Sequence, residues 1–562
     1  MDDFRKNAAE AVSQALIRAG HTAPDGLDAM FEIPSDSSNG DLALPCFRLS
    51  KTLRMPPPAI AAEIRENMGT FTGLAKTKAV GGYLNFFAEG ASYAAMLDMM
   101  TEDFGKSDIG SGKTFVIDFS SPNIAKRFHL GHLGTTVIGN AVRNIYRFCG
   151  YNTVAINYLG DWGTQNGKQI VAFRRWSSRE QVERDGVAEL ERIYVLFGKE
   201  AEKDPSLNDE ARSAFHSLEC GDKECLEIWQ LLRDVSLREY KKTYERLGIE
   251  FDLWDGESKY TDKMPAVVDE LREKGLLNLD DGASIVDLSE FGMPPALILK
   301  RDGSTLYPTR DIAAACWRYD TYKFDKCAYV TSAGQSLHFA QWFKVTELMG
   351  KPWSKDLVHI PYGTMSFGGE KLASRTGNII LLCDVFDEAV NKAYSIIEEK
   401  NAELEDKKST AEAVGLGAVI FGALSNSRIK DVSFTWENAL SFEGNTGPYV
   451  QYTYARAASL LRKAGEYGEA DSADPGPDEI ALIKQLALFP DRVKAACADF
   501  EPSYIARFML DTCACFNKFY HNCTILRETG DVRAFRLKLV AATKRILGAS
   551  LDLLGMRRTE EI

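Results

Sequence analysis

Two histidines, His129 and His132, stand three positions apart with Gly131 between them in the stretch DFSSPNIAKRFHLGHLGT, residues 118–135. Imidazoles at this spacing can donate hydrogen bonds to an anion or supply half of a metal site. A histidine pair on a helix is also often no more than surface or core. No cysteine or acidic ligand cluster stands at metal-site spacing nearby, so a zinc reading is weak. Phosphate chemistry has more behind it. The run TFVIDF, from Thr114 to Phe119, predicts a buried parallel strand. Ser120, Ser121, Pro122 and Asn123 break that strand and offer N-cap hydroxyls, and HLGHLGTTVIGNAVRNIYRF carries helical periodicity through Leu133, Val137, Val142 and Ile145. Strand, turn and helix in that order would put both imidazoles on one side of the first helical turn. There they join a positive helix dipole, a glycine that permits close approach, and the cations Lys126 and Arg127.

The elements that must position this turn follow from the rest of the chain. Its 562 residues are enough for several domains, and 45% hydrophobic content is that of an ordinary globular protein. The start, MDDFRKNAAEAV, has no apolar leader, and the apolar run VGLGAVIFGAL is too short to span a bilayer, so a cytoplasmic protein is expected. The 11 cysteines form no paired framework; Cys513 and Cys515 fall in a helical stretch where they point apart. A net charge of -13 argues against a generic nucleic-acid coat but leaves room for a local basic groove.

Four regions separate. Residues 1–95 begin with an amphipathic helix (Phe4, Ala8, Val12, Leu16, stopped by Gly20), continue as loop and helix, and reach the apolar GGYLNFF: a small α+β module. Residues 110–385 alternate strand and helix as a doubly wound nucleotide-binding domain does, with a charged helical insertion at about 170–250 whose apolar stripe is Leu226, Trp229, Leu232, Val235, Tyr240, Tyr244 and Leu247. Residues 386–430 form a helical junction, and 431–562 an all-helical domain interrupted by a Gly-, Pro- and acid-rich loop, GEYGEADSADPGPDE.

HLGH, preceded by SSPNIAK and followed by NYLGDWGTQ, DGESKY, YPTRD, GQSLHF, KLASRTGN, SRIKD and EGNTGPYVQYTYARA, resembles the arginyl-tRNA synthetases, a class I aminoacyl-tRNA synthetase family, along nearly the whole chain. The resemblance implies an α/β plus all-α fold: a Rossmann-like catalytic domain between a small N-terminal α+β domain and a C-terminal helical anticodon-binding domain. It also implies a ligase that activates arginine with ATP and Mg2+ as substrate, without a prosthetic group or protein-held metal, and passes it to the terminal ribose of its tRNA. Adenylate formation gathers negative charge on phosphoryl oxygens, so such a site needs positioned donors rather than a nucleophile. By resemblance these are His129, Gly131 and His132 with Lys371 and Arg375 of the loop KLASR, where Ser374 stands in place of the class's second lysine and Lys126 takes over its contact.

A guanidinium is best held by bidentate acceptors. The resemblance assigns this to Glu257, Tyr307 and Asp311, with Asn123 and Gln335 at the α-amino end. Taken singly, Glu257 reads as a surface acid, Asp311 as a helix N-cap, Lys126 as a solvated charge and His338 as a structural or adenine-site neighbour. Tyr449, Gln451, Tyr452 and Arg456 mix rings and cations as unpaired bases require, although the same spacing makes an ordinary half-buried helix. The family's C-terminal domain reads the anticodon and its N-terminal module meets the outer corner of the tRNA, which assigns both regions to RNA. A monomer without membrane contact is expected. Two other classes stay open: an RNA-binding paralogue without catalysis, disfavoured by His129, His132, Lys371, Tyr307 and Asp311, and a class I ligase for another substrate, disfavoured by the acidic pocket.

Overall fold

Short apolar runs bounded by turn residues make the sheets, and long periodic segments make the helices around them, in a computed structural model that describes residues 2–34, 39–301, 303, 306–367, 370–371, 380–468 and 474–562. The chain divides into two units.

The first unit joins residues 1–104, 457–489 and 511–546. Strands β1 (Leu42–Pro45), β2 (Leu74–Val80) and β3 (Tyr83–Ala88) form an antiparallel sheet in the order β1-β3-β2. Helices Asp2–Arg18 and Pro57–Asn67 cover it, burying Val12, Leu16, Ile60 and Ile64 against Leu84 and Phe86. The stretch containing β1 reads as loop and helix in sequence, because four buried residues ending in proline are too few to show a period. Buried Asp41 accepts a hydrogen bond from Tyr93 OH (2.5 Å) and pairs with Lys484 (2.5 Å), tying the module to helix Pro477–Ala487.

The second unit contains residues 105–456, 490–510 and 547–562. Strands β4 (Thr114–Asp118), β5 (Asn152–Leu159), β6 (Leu253–Gly256), β10 (Lys326–Ser332) and β11 (Leu357–Tyr362) build a parallel sheet in the order β11-β10-β4-β5-β6. The chain therefore starts in the middle, moves outward to β6, and restarts on the other side of β4 at β10. Such a reversal opens a crevice outside the carboxyl ends of the strands. Three short strands, β7 (Asn278–Asp280), β8 (Ala283–Val286) and β9 (Ala296–Leu299), form a separate antiparallel sheet. Ala296–Leu299 thus stands apart from the parallel sheet, and YPTRD opens helix Tyr307–Tyr322. Near the helical junction, β12 (Met365–Phe367) pairs with β13 (Glu370–Lys371) and, in parallel, with β14 (Val432–Phe434), so the C-terminal part is not wholly helical. The insertion is a bundle of helices ending in Lys223–Leu247, packed on its own core of Ile170, Leu190, Ile193 and Leu232. Among the described residues no helix is long and apolar enough to cross a membrane.

Candidate active site

The loop after β4 is built against the conformational grain. Ser120 (φ 70°), Ser121 (φ 48°) and Ala125 (φ 59°) all lie in the left-handed region, which costs a side-chain-bearing residue about 1–3 kcal/mol unless its surroundings impose it. Here they do. Ser120 N–H donates to Thr135 Oγ1 (2.9 Å), and its hydroxyl lies 2.7 Å from both Thr136 Oγ1 and Tyr244 OH. The Ser121 hydroxyl donates to Asp118 Oδ1 (2.7 Å) and accepts from Tyr158 N–H (3.1 Å), pinning β4 to β5. Neither serine caps a helix as its position suggests: the left-handed turn sends the Ser121 hydroxyl back to the sheet and the Ser120 hydroxyl to side chains of two neighbouring helices. Asn123 forms a bridge with Gly160, where a Cβ would overlap the Asn123 amide oxygen; glycine is what lets these two segments meet.

The cap belongs to the histidines. Leu130–His132 is a turn of 3₁₀ helix, and the α-helix, Leu133–Phe148, begins only after it. His129 is the N-cap: its Nδ1 accepts from Gly131 N–H (3.1 Å), while His129 N–H donates to His132 Nδ1 (3.2 Å). The histidines thus sit one turn ahead of the expected place. The close approach of the His129 ring, within 3 Å of where a Cβ on residue 131 would lie, explains the glycine between them. Both Nδ1 atoms being acceptors, both rings carry their proton on Nε2 when neutral. Neutrality is enforced: burial lowers the His132 pKa to about 3, and burial together with the Lys126 charge lowers that of His129. Two neutral Nε2–H donors result.

A cleft of about 460 Å³ opens at the strand ends where the sheet order reverses. Asn123, His132, Glu257, Tyr307, Asp311 and Gln335 all line it. His129 and Gly131 flank it along the chain, and Lys126 is exposed on the loop. Lys371 closes β13; its side chain, and Ser374 and Arg375 altogether, lie outside the described residues. The segment that resumes at Ile380 is fastened to the histidine turn, Leu130 N–H donating to Ile380 O (3.0 Å) and Leu382 N–H to Phe128 O (2.9 Å).

The acidic groups of the cleft already have partners. Glu257 pairs with Arg310, both side chains nearly buried, and Asp311 Oδ2 lies 2.7 Å from His338 Nε2. Asp311 is the fifth residue of its helix, so it is not an N-cap. Beneath them Arg318, fully buried, donates to Asp118 Oδ2 (2.7 Å) with its guanidinium between the rings of Tyr158 (5.1 Å) and Tyr329 (5.3 Å). Three carboxylates thus face two guanidiniums, an excess of one negative charge before any proton on His338 is counted. Burial, reinforced by Asp311 and Asp161 and opposed by Arg310, raises the Glu257 pKa to about 8. The cleft is built to take up one more positive charge, a proton or a cation.

Sequence reasoning missed Arg310, Asp118 and Arg318. Their signal was present, since Arg310 adjoins Asp311 and both arginines belong to one helix, but helical neighbours diverge by about 100° and only the fold shows which acid each meets. Tyr449, Gln451, Tyr452 and Arg456 lie on helix Gly447–Ala464, away from the cleft lining. Tyr452 is exposed and stacks with Arg456 (4.9 Å). Gln451 is fully buried, donating to Ala413 O (3.0 Å) and Arg557 O (2.9 Å), and so ties its helix to Lys407–Leu424 and to the segment after the last helix.

A parallel sheet restarting beside its first strand, a histidine turn at a helix N-terminus and a charged cleft across the switch point make a doubly wound nucleotide-binding domain, and its matches place it among the class I aminoacyl-tRNA synthetases. Residues 97–436 match the family model of the class I tRNA synthetase (R) catalytic domain, 450–562 that of the DALR anticodon binding domain, and 6–88 that of the arginyl tRNA synthetase N-terminal domain. The chain is 45% identical over 570 residues to the arginine–tRNA ligases of Alkaliphilus metalliredigens and Clostridioides difficile, covering 100% of each pair. The arginyl-tRNA synthetase of Thermus thermophilus superimposes with a TM-score of 0.79 at 27% identity, over 99% of this chain and 100% of that one. The chain belongs to the arginyl-tRNA synthetase family.

Proposed function

We propose a division of labour for the arginine–tRNA ligase reaction in which Glu257, Tyr307 and Asp311 receive the arginine side chain, Asn123 and Gln335 its α-amino end, and the histidine turn the ATP phosphates. The arginine carboxylate attacks the α-phosphorus, pyrophosphate leaves, and a hydroxyl of the terminal tRNA ribose then displaces AMP from the carbonyl carbon. The Nε2–H groups of His129 and His132, with Lys126, Lys371 and Arg375, act as donors to phosphoryl oxygens whose charge grows in the transition state. Mg2+ enters in this reading with ATP, as part of the substrate. The N-terminal module and helix Gly447–Ala464, through Tyr449, Tyr452 and Arg456, contact tRNA, and the enzyme works as a cytoplasmic monomer.

The observation that carries this reading is that six residues scattered from position 123 to 335 line one cleft in which carboxyl groups outnumber guanidiniums by one. Charging assays with a mixture of amino acids and total tRNA test it, arginine alone being expected to become tRNA-bound. Arginine-dependent ATP–pyrophosphate exchange is expected only with tRNA present; robust exchange without RNA refutes the tRNA requirement, and charging of another amino acid refutes the pocket assignment.

A further inference from the structure

Helix Lys223–Leu247 presents three hydroxyls on one face at positions 236, 240 and 244, each buried and each spent on the left-handed loop. Ser236 Oγ accepts from Ala125 N–H (2.9 Å), at the residue whose φ is 59°. Tyr240 OH lies 2.7 Å from two carbonyls, Asn123 O and Lys126 O, which share its one proton. Tyr244 OH meets the Ser120 hydroxyl (2.7 Å) and accepts from Asn157 Nδ2 (3.1 Å). The rungs thus follow the loop from its entry at Ser120 to Lys126, and the rings of Tyr240 and Tyr244 pack on Phe128 just beyond. The far end of the helix is itself fastened. Arg246 pairs with Glu412 (2.9 Å) and Asp387 (2.7 Å), and Arg557 donates to Arg246 O (2.6 Å).

A loop that needs three side-chain-bearing residues in an unfavourable backbone region keeps its shape only if something outside it dictates that shape. We infer that Ser236, Tyr240 and Tyr244 are positioning residues for the activation step, with Tyr240 the main rung because one hydroxyl sets the backbone of both Asn123 and Lys126. The inference rests on the roles proposed above for those two residues. It gives the helical insertion a part in chemistry: it holds the substrate loop in register with the histidine turn.

The test is Tyr240→Phe in the full-length enzyme with tRNA, which removes one oxygen and keeps the ring packing. Single-turnover adenylate formation is expected to slow roughly ten- to a hundredfold, with a raised KM for arginine and an unchanged KM for tRNA, as small displacements of reacting groups produce. In a Lys126→Ala background the same change is expected to slow the reaction less than about threefold, because both substitutions disable one group. A lower melting temperature with an unaltered single-turnover rate overturns the inference, as do fully additive losses in the double variant. If Lys126→Ala alone leaves the rate intact, the role of Lys126 fails separately; Tyr240 is then judged on the arginine KM, where a rise supports positioning and no change refutes it. Ser236→Ala, a smaller change on the same face, must slow activation in the same direction should Tyr240→Phe not fold.

Discussion

Around the histidine turn the protein supplies its own partners and locks the geometry, whereas around Glu257 and Asp311 it supplies partners that a ligand can replace. On the first side stand a left-handed loop held by three buried hydroxyls and two rings kept neutral by burial. On the second, Tyr307 is 63% exposed, Glu257 is matched with Arg310 and Asp311 with His338. The difference follows from what each side receives. Phosphoryl oxygens gaining charge are best met by dipoles that need no reorganisation. A guanidinium entering a buried acidic site must find that charge neutralised beforehand, since an uncompensated buried carboxylate is costly.

The exchangeable side breaks most readily. Glu257→Gln fixes this residue in a neutral form, so the arginine guanidinium can no longer exchange with a proton and meets Arg310 without a carboxylate between them; losing one side of a buried charge pair typically costs about 3–5 kcal/mol. The expected result is a loss of roughly two to four decades in kcat/KM for arginine with the KM for ATP nearly unchanged, measured by charging kinetics. Equal effects on both substrates would move Glu257 out of the arginine site. Asp311→Asn, whose side chain is more exposed, is expected to act in the same direction and less strongly.

On the locked side, Lys126→Ala tests whether a cation has taken over from the residue at Ser374. Removing one transition-state donor costs about 2.7–4 kcal/mol, so a hundred- to thousandfold slower single-turnover activation is expected with folding intact. Adding Ser374→Lys to that variant should restore part of the rate, and independent additive effects would exclude a shared role.

The pH dependence is smaller and carries a definite sign. With its pKa raised to about 8, Glu257 is protonated in the free cleft below that value, and arginine must expel the proton to bind. Arginine affinity should therefore rise with pH, by up to about tenfold per unit, and level off near 8. Arg310, Asp311 and Asp161 are the charges that face it. Binding titrations between about pH 6.5 and 8.5 read this slope, and Glu257→Gln must abolish it. The smallest effect is expected next to Lys126. Arg127 pairs with Glu191 at a partly exposed site, and Arg127→Ala should cost under about 1 kcal/mol of stability with activation unaltered.

Much of this architecture was legible from residue order. Thr114–Asp118 is the predicted strand, the first helix buries Phe4, Ala8, Val12 and Leu16 as its period requires, and the motifs named the family before any fold was in hand. Those readings rest on periodicity and on residue types that chemistry restricts, which are properties of neighbours in the chain. Tertiary structure alone decided that the histidines cap their own turn, that Gln451 is a buried brace, and that Tyr240 serves Asn123 and Lys126 more than a hundred residues away. The last two hinge on which face a helix turns toward which neighbour. A repeat of 3.6 residues says that a face exists, but what lies opposite it depends on packing among segments distant in sequence.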